Sequence, residues 1–363
     1  MAIRTALHEK ETMKLPGSRN PQTISGRGRK ALPAMGLSIL LGLLLTACSG
    51  SAPVGQPTSS ATATITLFPT QTVPQPTSTP AEPSPTPTPA ETATPSIGSS
   101  RVIEIDGMVQ VYVPAGEFTM GADDMDAKKT IAGGRAYPEV PVHKVTLEGY
   151  WIDKFEVTTG QYAKCVEAGV CKVPHLLNSG YEYGPAYRPK YFGNPEFKDY
   201  PVIWISWFYS KDYCTWAGRR LPTEAEWEKA ARGTDARKYT WGNDPLSSTV
   251  ANMCDINCPF PQANGKYNDG WANTAPVGSL PDGASPYGAL DMAGNVWEWT
   301  SSLIKDYPYS ATDGREDLTV TGERVWRGAS WTNGYWWMRA SLRYRSVDWY
   351  WNWNLGFRCA ASG

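Results

Sequence analysis

From Arg101 onward, apolar residues fall in short runs that switch between strict alternation and helical spacing. Val109-Gln-Val-Tyr-Val113 alternates as a half-buried strand does, and Pro114-Ala-Gly-Glu-Phe-Thr-Met-Gly121 reads as a turn feeding a second short strand. Pro141-Val-His-Lys-Val-Thr-Leu147 and Tyr150-Trp-Ile-Asp-Lys-Phe-Glu-Val157 read as two more. Thr158 or Thr159 then caps a helix that reaches Ala168, where Gly169 stops it. A second helix is predicted from Ser206 to Ala217 with Gly218 as its stop. A third opens at Thr223, which forms a capping box with Glu226, and ends at Gly233. Glu224, Glu226 and Glu228 on this helix read as partners of its positive end and as a solvated face, not as an acid–base pair. Beyond Gly242 regular patterning thins and turn residues multiply. It returns at Asp291-Met-Ala-Gly-Asn-Val-Trp-Glu-Trp-Thr300, a tight Gly-Asn turn between carboxylates followed by alternating Trp residues that suit a strand. His143 reads as a structural strand residue, and His175 as a loop residue with no partner histidine.

The N-terminal part has a different pattern. Residues 1–30 are polar and basic, and the apolar run Ala31–Ala47 is too short and interrupted for a spanning helix. It ends in Leu45-Thr-Ala-Cys48, which resembles a bacterial lipobox and implies that Cys48 becomes a lipid-bearing N-terminus (palmitate among its acyl chains). The plainer alternative is an ordinary signal peptide with a chance cysteine. Ser49, not Asp, follows the cysteine, which favours outer-membrane sorting where there is an outer membrane. Residues 49–98 are mostly Ser, Thr, Pro and Ala, with too little apolar area to offset the entropy of ordering. Their prolines favour an extended spacer of about 3 Å per residue, roughly 150 Å at full reach. The composition also permits O-glycosylation. The expected organisation is a signal peptide at 1–47, a disordered stalk at 48–100 and a globular head at 101–363. The protein is expected to be exported, monomeric and anchored by lipid on Cys48 to the outer face of the plasma membrane or to the outer membrane.

Charge and composition narrow the partners. A net charge of −1 gives no pull towards nucleic acid, while 16 Trp and 19 Tyr exceed what core filling demands and suit a loop-rich fold or an aromatic binding surface. Of the 7 cysteines, Cys48 stands alone and the others lie in the head, an even set that reads as disulfides in an exported domain. Spacing favours Cys165–Cys171 and Cys254–Cys258 and leaves Cys214–Cys359, although other pairings stay formally open. Without neighbouring histidines the spacings argue against zinc.

Arg220-Leu-Pro-Thr-Glu-Ala-Glu-Trp-Glu228, Asp291–Thr300, Arg327-Gly-Ala-Ser-Trp331 and Gly356-Phe-Arg-Cys359 occur in an order that resembles the formylglycine-generating enzyme, or sulfatase-modifying factor, family. The resemblance spans roughly residues 101–361 and implies an α+β, C-type-lectin-like fold. It also implies the Cys214–Cys359 disulfide, which the family commonly has. Two structural calcium sites carry over. One uses Asn252 and Asp269 side chains with the Met253 and Trp271 carbonyls; the other uses Asp291 and Glu298 with the Gly294 and Val296 carbonyls. The plain alternative for these residues is turn formation.

Active members of the family bind copper(I) through two cysteines placed just after an Arg-Gly-Gly-Ser-Trp motif. Here those positions hold Asn333 and Met338, and no cysteine occurs between Cys258 and Cys359. Ser330 matches a family active-site serine but has no histidine beside it, so neither copper oxidation nor serine hydrolysis is expected. The iron-dependent sulfoxide synthases of the same fold carry a histidine-bearing helical domain that nothing here supplies. The expectation is a non-catalytic ligand-binding module whose surface includes Asn333, Tyr335, Trp336, Trp351 and Asn352, with a glycan or peptide as ligand. Three alternatives remain: formylglycine generation on Cys-X-Pro-X-Arg motifs, a retroelement-diversified binding protein of this fold, and aromatics that merely fill the core. Arg339, Arg343, Arg345 and Arg358 are expected to pair with carboxylates or stack on rings.

Overall fold

A computed structural model describes residues 94–124, 138–180 and 187–363. The signal peptide, Cys48 and the stalk up to residue 93 lie outside the described residues. No described helix is long and apolar enough to cross a membrane.

The alternating segments form strands where expected. β1 (Ser100–Val102), β2 (Val109–Val113) and β5 (Tyr150–Asp153) build an antiparallel sheet that β10 (Ala360–Ser362) closes by pairing with β5. The two ends of the head therefore meet in one sheet. β3 (Gly116–Met120) and β4 (His143–Leu147) form a separate hairpin-like pair. The third sheet has the order β8 (Tyr344–Val347), β7 (Glu323–Arg327), β6 (Trp297–Leu303), β9 (Leu355–Phe357), with β9 parallel to β6. Long irregular loops occupy the space between these strands.

Among the described residues there are three α-helices, each ended as the sequence predicts. Thr158 caps α1 (Thr159–Glu167) in a full capping box with Gln161, and Gly169 follows in the left-handed region. Ser206 caps α2 (Trp207–Trp216) and Thr223 caps α3 (Glu224–Arg232), the latter through the box with Glu226. The mixture of short strands and few helices is the α+β architecture expected.

One expectation about α3 is corrected. Glu224 and Glu226 do lie in its first turn, but the helix has no solvated face: Glu224 and Glu228 are fully buried and Glu226 nearly so. Arg343 grips Glu224 with Nε and Nη2 at 2.6 and 2.9 Å. Arg327 reaches Glu228 at 2.6 Å and Glu224 at 3.3 Å, and Arg232 meets Glu228 at 2.9 Å. Arg220 binds both oxygens of Glu226. Charges buried at this depth persist only when paired and hydrogen-bonded, so α3 anchors the C-terminal sheet by ion pairs as well as apolar contact. The other arginines behave as expected: Arg339 pairs with Glu139, Arg345 with Glu323 and Arg358 with Glu298, while Arg343 also lies 3.8 Å over the Tyr307 ring.

His143 is structural, as read: its Nε2 accepts from the Tyr309 amide at 2.8 Å, leaving Nδ1 as donor to the Pro141 carbonyl. All three predicted disulfides form, with Cα atoms 5.2 Å apart in Cys165–Cys171, 5.7 Å in Cys214–Cys359 and 4.8 Å in Cys254–Cys258.

Candidate functional site

The site lies where β7 runs out into Gly328-Ala-Ser-Trp-Thr-Asn333. Ala329 is buried with φ +63°, a conformation that costs a non-glycine residue about 1–2 kcal/mol. This bend turns Ser330 towards Asn333. The Ser330 amide donates to Asn333 Oδ1 at 3.1 Å and the Ser330 hydroxyl donates to the same oxygen at 2.8 Å. Because a backbone amide can only donate, Asn333 must present its oxygen inwards, which leaves its Nδ2 hydrogens directed away from that pair. Asn354 supports Ser330 and Thr332 through its own Nδ2 at 3.2 and 3.0 Å. Ser330 is thus a hydrogen-bonding residue that fixes an amide, with no base beside it. Replacing Ala329 by glycine relieves the bend, and we expect the variant to melt higher by about 1 kcal/mol of stability in thermal unfolding.

Past Asn333 the chain makes a short 3-10 turn, Tyr335–Trp337. Arg339 ties it down by donating to the Trp336 carbonyl at 2.6 Å while pairing with buried Glu139. Tyr335 and Trp336 are left 45% and 41% exposed, whereas Met338 is fully buried in the core. Across from them runs the segment 254–266, which the Cys254–Cys258 disulfide tightens at its start. It is held to the site by the Cys254 amide donating to the Asn333 carbonyl (2.9 Å) and Gln262 Nε2 donating to the Thr332 carbonyl (3.2 Å). Between the two walls is a groove of about 930 Å³ lined by residues 262–266 and 332–337.

The structure divides the predicted ligand surface. Asn333, Tyr335 and Trp336 share the groove; Trp351 and Asn352 do not line it. Trp351 instead stacks on His175 with centroids 5.0 Å apart, and His175 stacks in turn on Tyr209 at 4.7 Å. The Asn352 carbonyl accepts the Trp204 amide. Alternation in 349–354 implies that part of the segment packs and part is exposed; Trp349 is exposed and the segment is irregular, so neighbours in sequence diverge. The groove's second wall was missed because nothing in Gln262–Lys266 marks it as close to Asn333.

The surroundings of the two calcium ligand sets differ. Asp269 accepts from the Met253 and Trp271 amides at 2.8 Å each, and buried Asn252 Oδ1 has no hydrogen-bond donor. Burial, with Asp255 alongside, pushes Asp269 up to about 7. An orphaned buried amide oxygen and a desolvated carboxylate on the same loop are groups of the kind a hard cation binds. In the other set, burial pushes Asp291 up to about 6. Glu298, however, is already bound by Arg358 at 2.7 Å through both oxygens and by Trp227 Nε1 at 2.7 Å. The first set therefore fits a cation better than the second. Gly294 joins them: at φ +87°, a Cβ there would lie 2.2 Å from the Asn252 carbonyl oxygen. Among the described residues no group of three or more His, Cys, Asp or Glu side chains is placed to hold a metal, so either set depends on amide and carbonyl oxygens.

Copper(I) is a different case. Every cysteine of the described head is in a disulfide, and Met338 offers one thioether sealed in the core, so the residues do not fit a thiolate-bound ion.

The family profile for the sulfatase-modifying factor enzyme 1-like domain matches residues 96–362. The chain belongs to the sulfatase-modifying factor family. It is 32% identical over 288 residues to the formylglycine-generating enzyme of Mus musculus, covering 69% of this chain and 74% of that protein. It is equally 32% identical over 292 residues to the inactive C-alpha-formylglycine-generating enzyme 2 of Bos taurus, with 69% of this chain and 87% of that protein covered. Among solved structures, PvdO from Pseudomonas aeruginosa superposes with a TM-score of 0.57 at 24% identity, over 74% of this chain and 100% of that one. That likeness concerns the fold alone. The sulfatase-modifying factor head thus carries a groove that Asn333 helps to line, with Met338 buried in the core beside it.

Proposed function

We propose that the protein is an exported, lipid-anchored binding module whose sulfatase-modifying factor head captures a ligand in the groove and catalyses no oxidation. The observation that carries this is the pairing of a fixed Asn333 amide with exposed Tyr335 and Trp336 where copper-binding thiolates are required for catalysis. Rigid aromatics give contact area at small entropic cost, and an oriented amide gives direction. A relative named as inactive has the same overall similarity to the chain as one named as an active enzyme, so overall similarity does not favour oxidation. Lipid on Cys48 would fix the protein to a membrane, with the stalk holding a monomeric head away from the surface; no nucleic-acid partner is part of this reading.

The test is capture on an array of glycans and cell-wall peptides. Trp336→Ala is expected to lower capture by about a hundredfold with an unchanged melting temperature, and Asn333→Ala by about tenfold with a lower melting temperature, because buried Ser330 loses its acceptor. Wild-type protein that captures nothing, or a Trp336→Ala variant that captures equally well, would remove the reading.

Calcium belongs to this reading as a structural ion held by Asn252, Met253, Asp269 and Trp271, with the Asp291 set as a second location. It would neutralise buried carboxylate charge and pin the loops that build the groove wall. With an extracellular-type affinity of about 10⁻⁴–10⁻³ M, 10 mM calcium is expected to stabilise the head by about 1.4–2.7 kcal/mol. Chelation should reverse this in a melting experiment, and Asn252→Ala should weaken the response.

A further inference from the structure

The groove has a charge character that selects among ligands. Its lining contains one cation, Lys266, and no carboxylate. Lys266 is exposed and forms no ion pair with any described residue, although its backbone is steadied by the Asn264 side chain at 3.2 Å. Most described lysines and arginines deeper in the head are tied to carboxylates, carbonyls or rings, so an unneutralised ammonium at the mouth of the groove stands out. Opposite it, the Asn333 Nδ2 hydrogens are left over once Ser330 has claimed the oxygen, and they too can only donate. Tyr335 and Trp336 supply ring faces, with Trp336 held against Trp337 at a 4.8 Å centroid distance.

Resting on the binding reading above, we propose that the groove recognises an acidic oligosaccharide, one whose sugar rings carry carboxylates. A pyranose lays its polarised C–H face on the negative face of an aromatic ring, its hydroxyls accept from an oriented amide, and its carboxylate meets Lys266 in a charge-assisted hydrogen bond. A peptide is the weaker fit. The lining is made of loops, with no strand edge to which an extended chain could add, and it holds no acid to meet a basic residue such as the arginine of Cys-X-Pro-X-Arg. Desolvating Lys266 against a neutral sugar would gain nothing in return.

The test is titration calorimetry of the full chain in detergent with a galacturonate oligosaccharide, the same oligosaccharide as its methyl ester, and an acidic peptide of equal charge. The acidic sugar should bind, its methyl ester about ten- to hundredfold more weakly, and the peptide more weakly than either. Lys266→Gln should lower affinity for the acidic sugar by a similar factor and weaken its dependence on salt. Equal binding of acid and ester, with no effect of Lys266→Gln, would overturn the anionic assignment while leaving a groove that binds sugar. Preferential binding of the peptide, lost in Trp336→Ala, would overturn the saccharide assignment while leaving the groove as the site. Sugar binding unaffected by Trp336→Ala would overturn both this assignment and the groove itself.

Discussion

Arg327→Met is expected to destabilise the head by about 3–5 kcal/mol, because it leaves two carboxylates in a dry interior with fewer partners. Arg327 is fully buried and its Nη2 sits 2.6 Å from Glu228 Oε2, while also donating to the Ala340 carbonyl at 2.7 Å. Burial alone would push Glu228 up, but Arg327 and Arg232, helped by the Gly121 amide, outweigh it and hold Glu228 below the usual carboxylate range. A depressed folded-state value means that the stabilisation is present above the unfolded value of about 4.3 and is lost as pH falls through the folded one. Without Arg327 the carboxyl should move upwards, so the variant gains relative stability on protonation. Denaturant titration should therefore show the deficit largest near pH 7 and narrower near pH 4. A deficit independent of pH would point to lost packing alone. Glu228→Gln combined with Arg327→Met should recover part of the loss, since the charge left behind is then removed.

Opening Cys214–Cys359 by a double serine substitution is the other large effect. The bond closes a separation of 145 residues and ties α2 to the turn between β9 and β10. Loop-closure entropy for that length corresponds to about 5 kcal/mol, against about 2 kcal/mol for the separation of 6 in Cys165–Cys171. In a head of this size the first loss should lower the melting temperature by roughly 10–15 °C and the second by roughly half as much. The two variants measured side by side separate the long-loop effect from the general cost of losing a disulfide. Equal shifts would mean that residual structure in the unfolded chain, not closure entropy, sets the contribution.

Much of this frame was legible because its signals are local. Alternation at Val109–Val113 and the boxes Thr158/Gln161 and Thr223/Glu226 each involve residues a few positions apart, and each appears where spacing puts it. The ordered blocks around Asp291–Thr300 and Arg327–Trp331 carried the fold. The errors came from long-range geometry. Glu224 and Glu228 look like an exposed helix face until Arg327 and Arg343, about a hundred residues on, are folded against them. Trp351 and Asn352 look like groove residues until an irregular segment stacks Trp351 on His175 and sets the Asn352 carbonyl against the Trp204 amide. The far wall at Gln262–Lys266 has no periodicity or motif of its own; only the hydrogen bonds of Cys254 and Gln262 to residues 332–333 bring it there.

The proposed function requires that this head hold a ligand and carry out no oxidation. It is tested most directly by incubating the full chain with copper(I), oxygen and a Cys-X-Pro-X-Arg peptide, then reading peptide mass. The cysteine is expected to stay unaltered at every copper level, while an active formylglycine-generating enzyme run as control converts the peptide. Stoichiometric conversion of that cysteine to an aldehyde by this protein, abolished by Asn333→Ala, would contradict it.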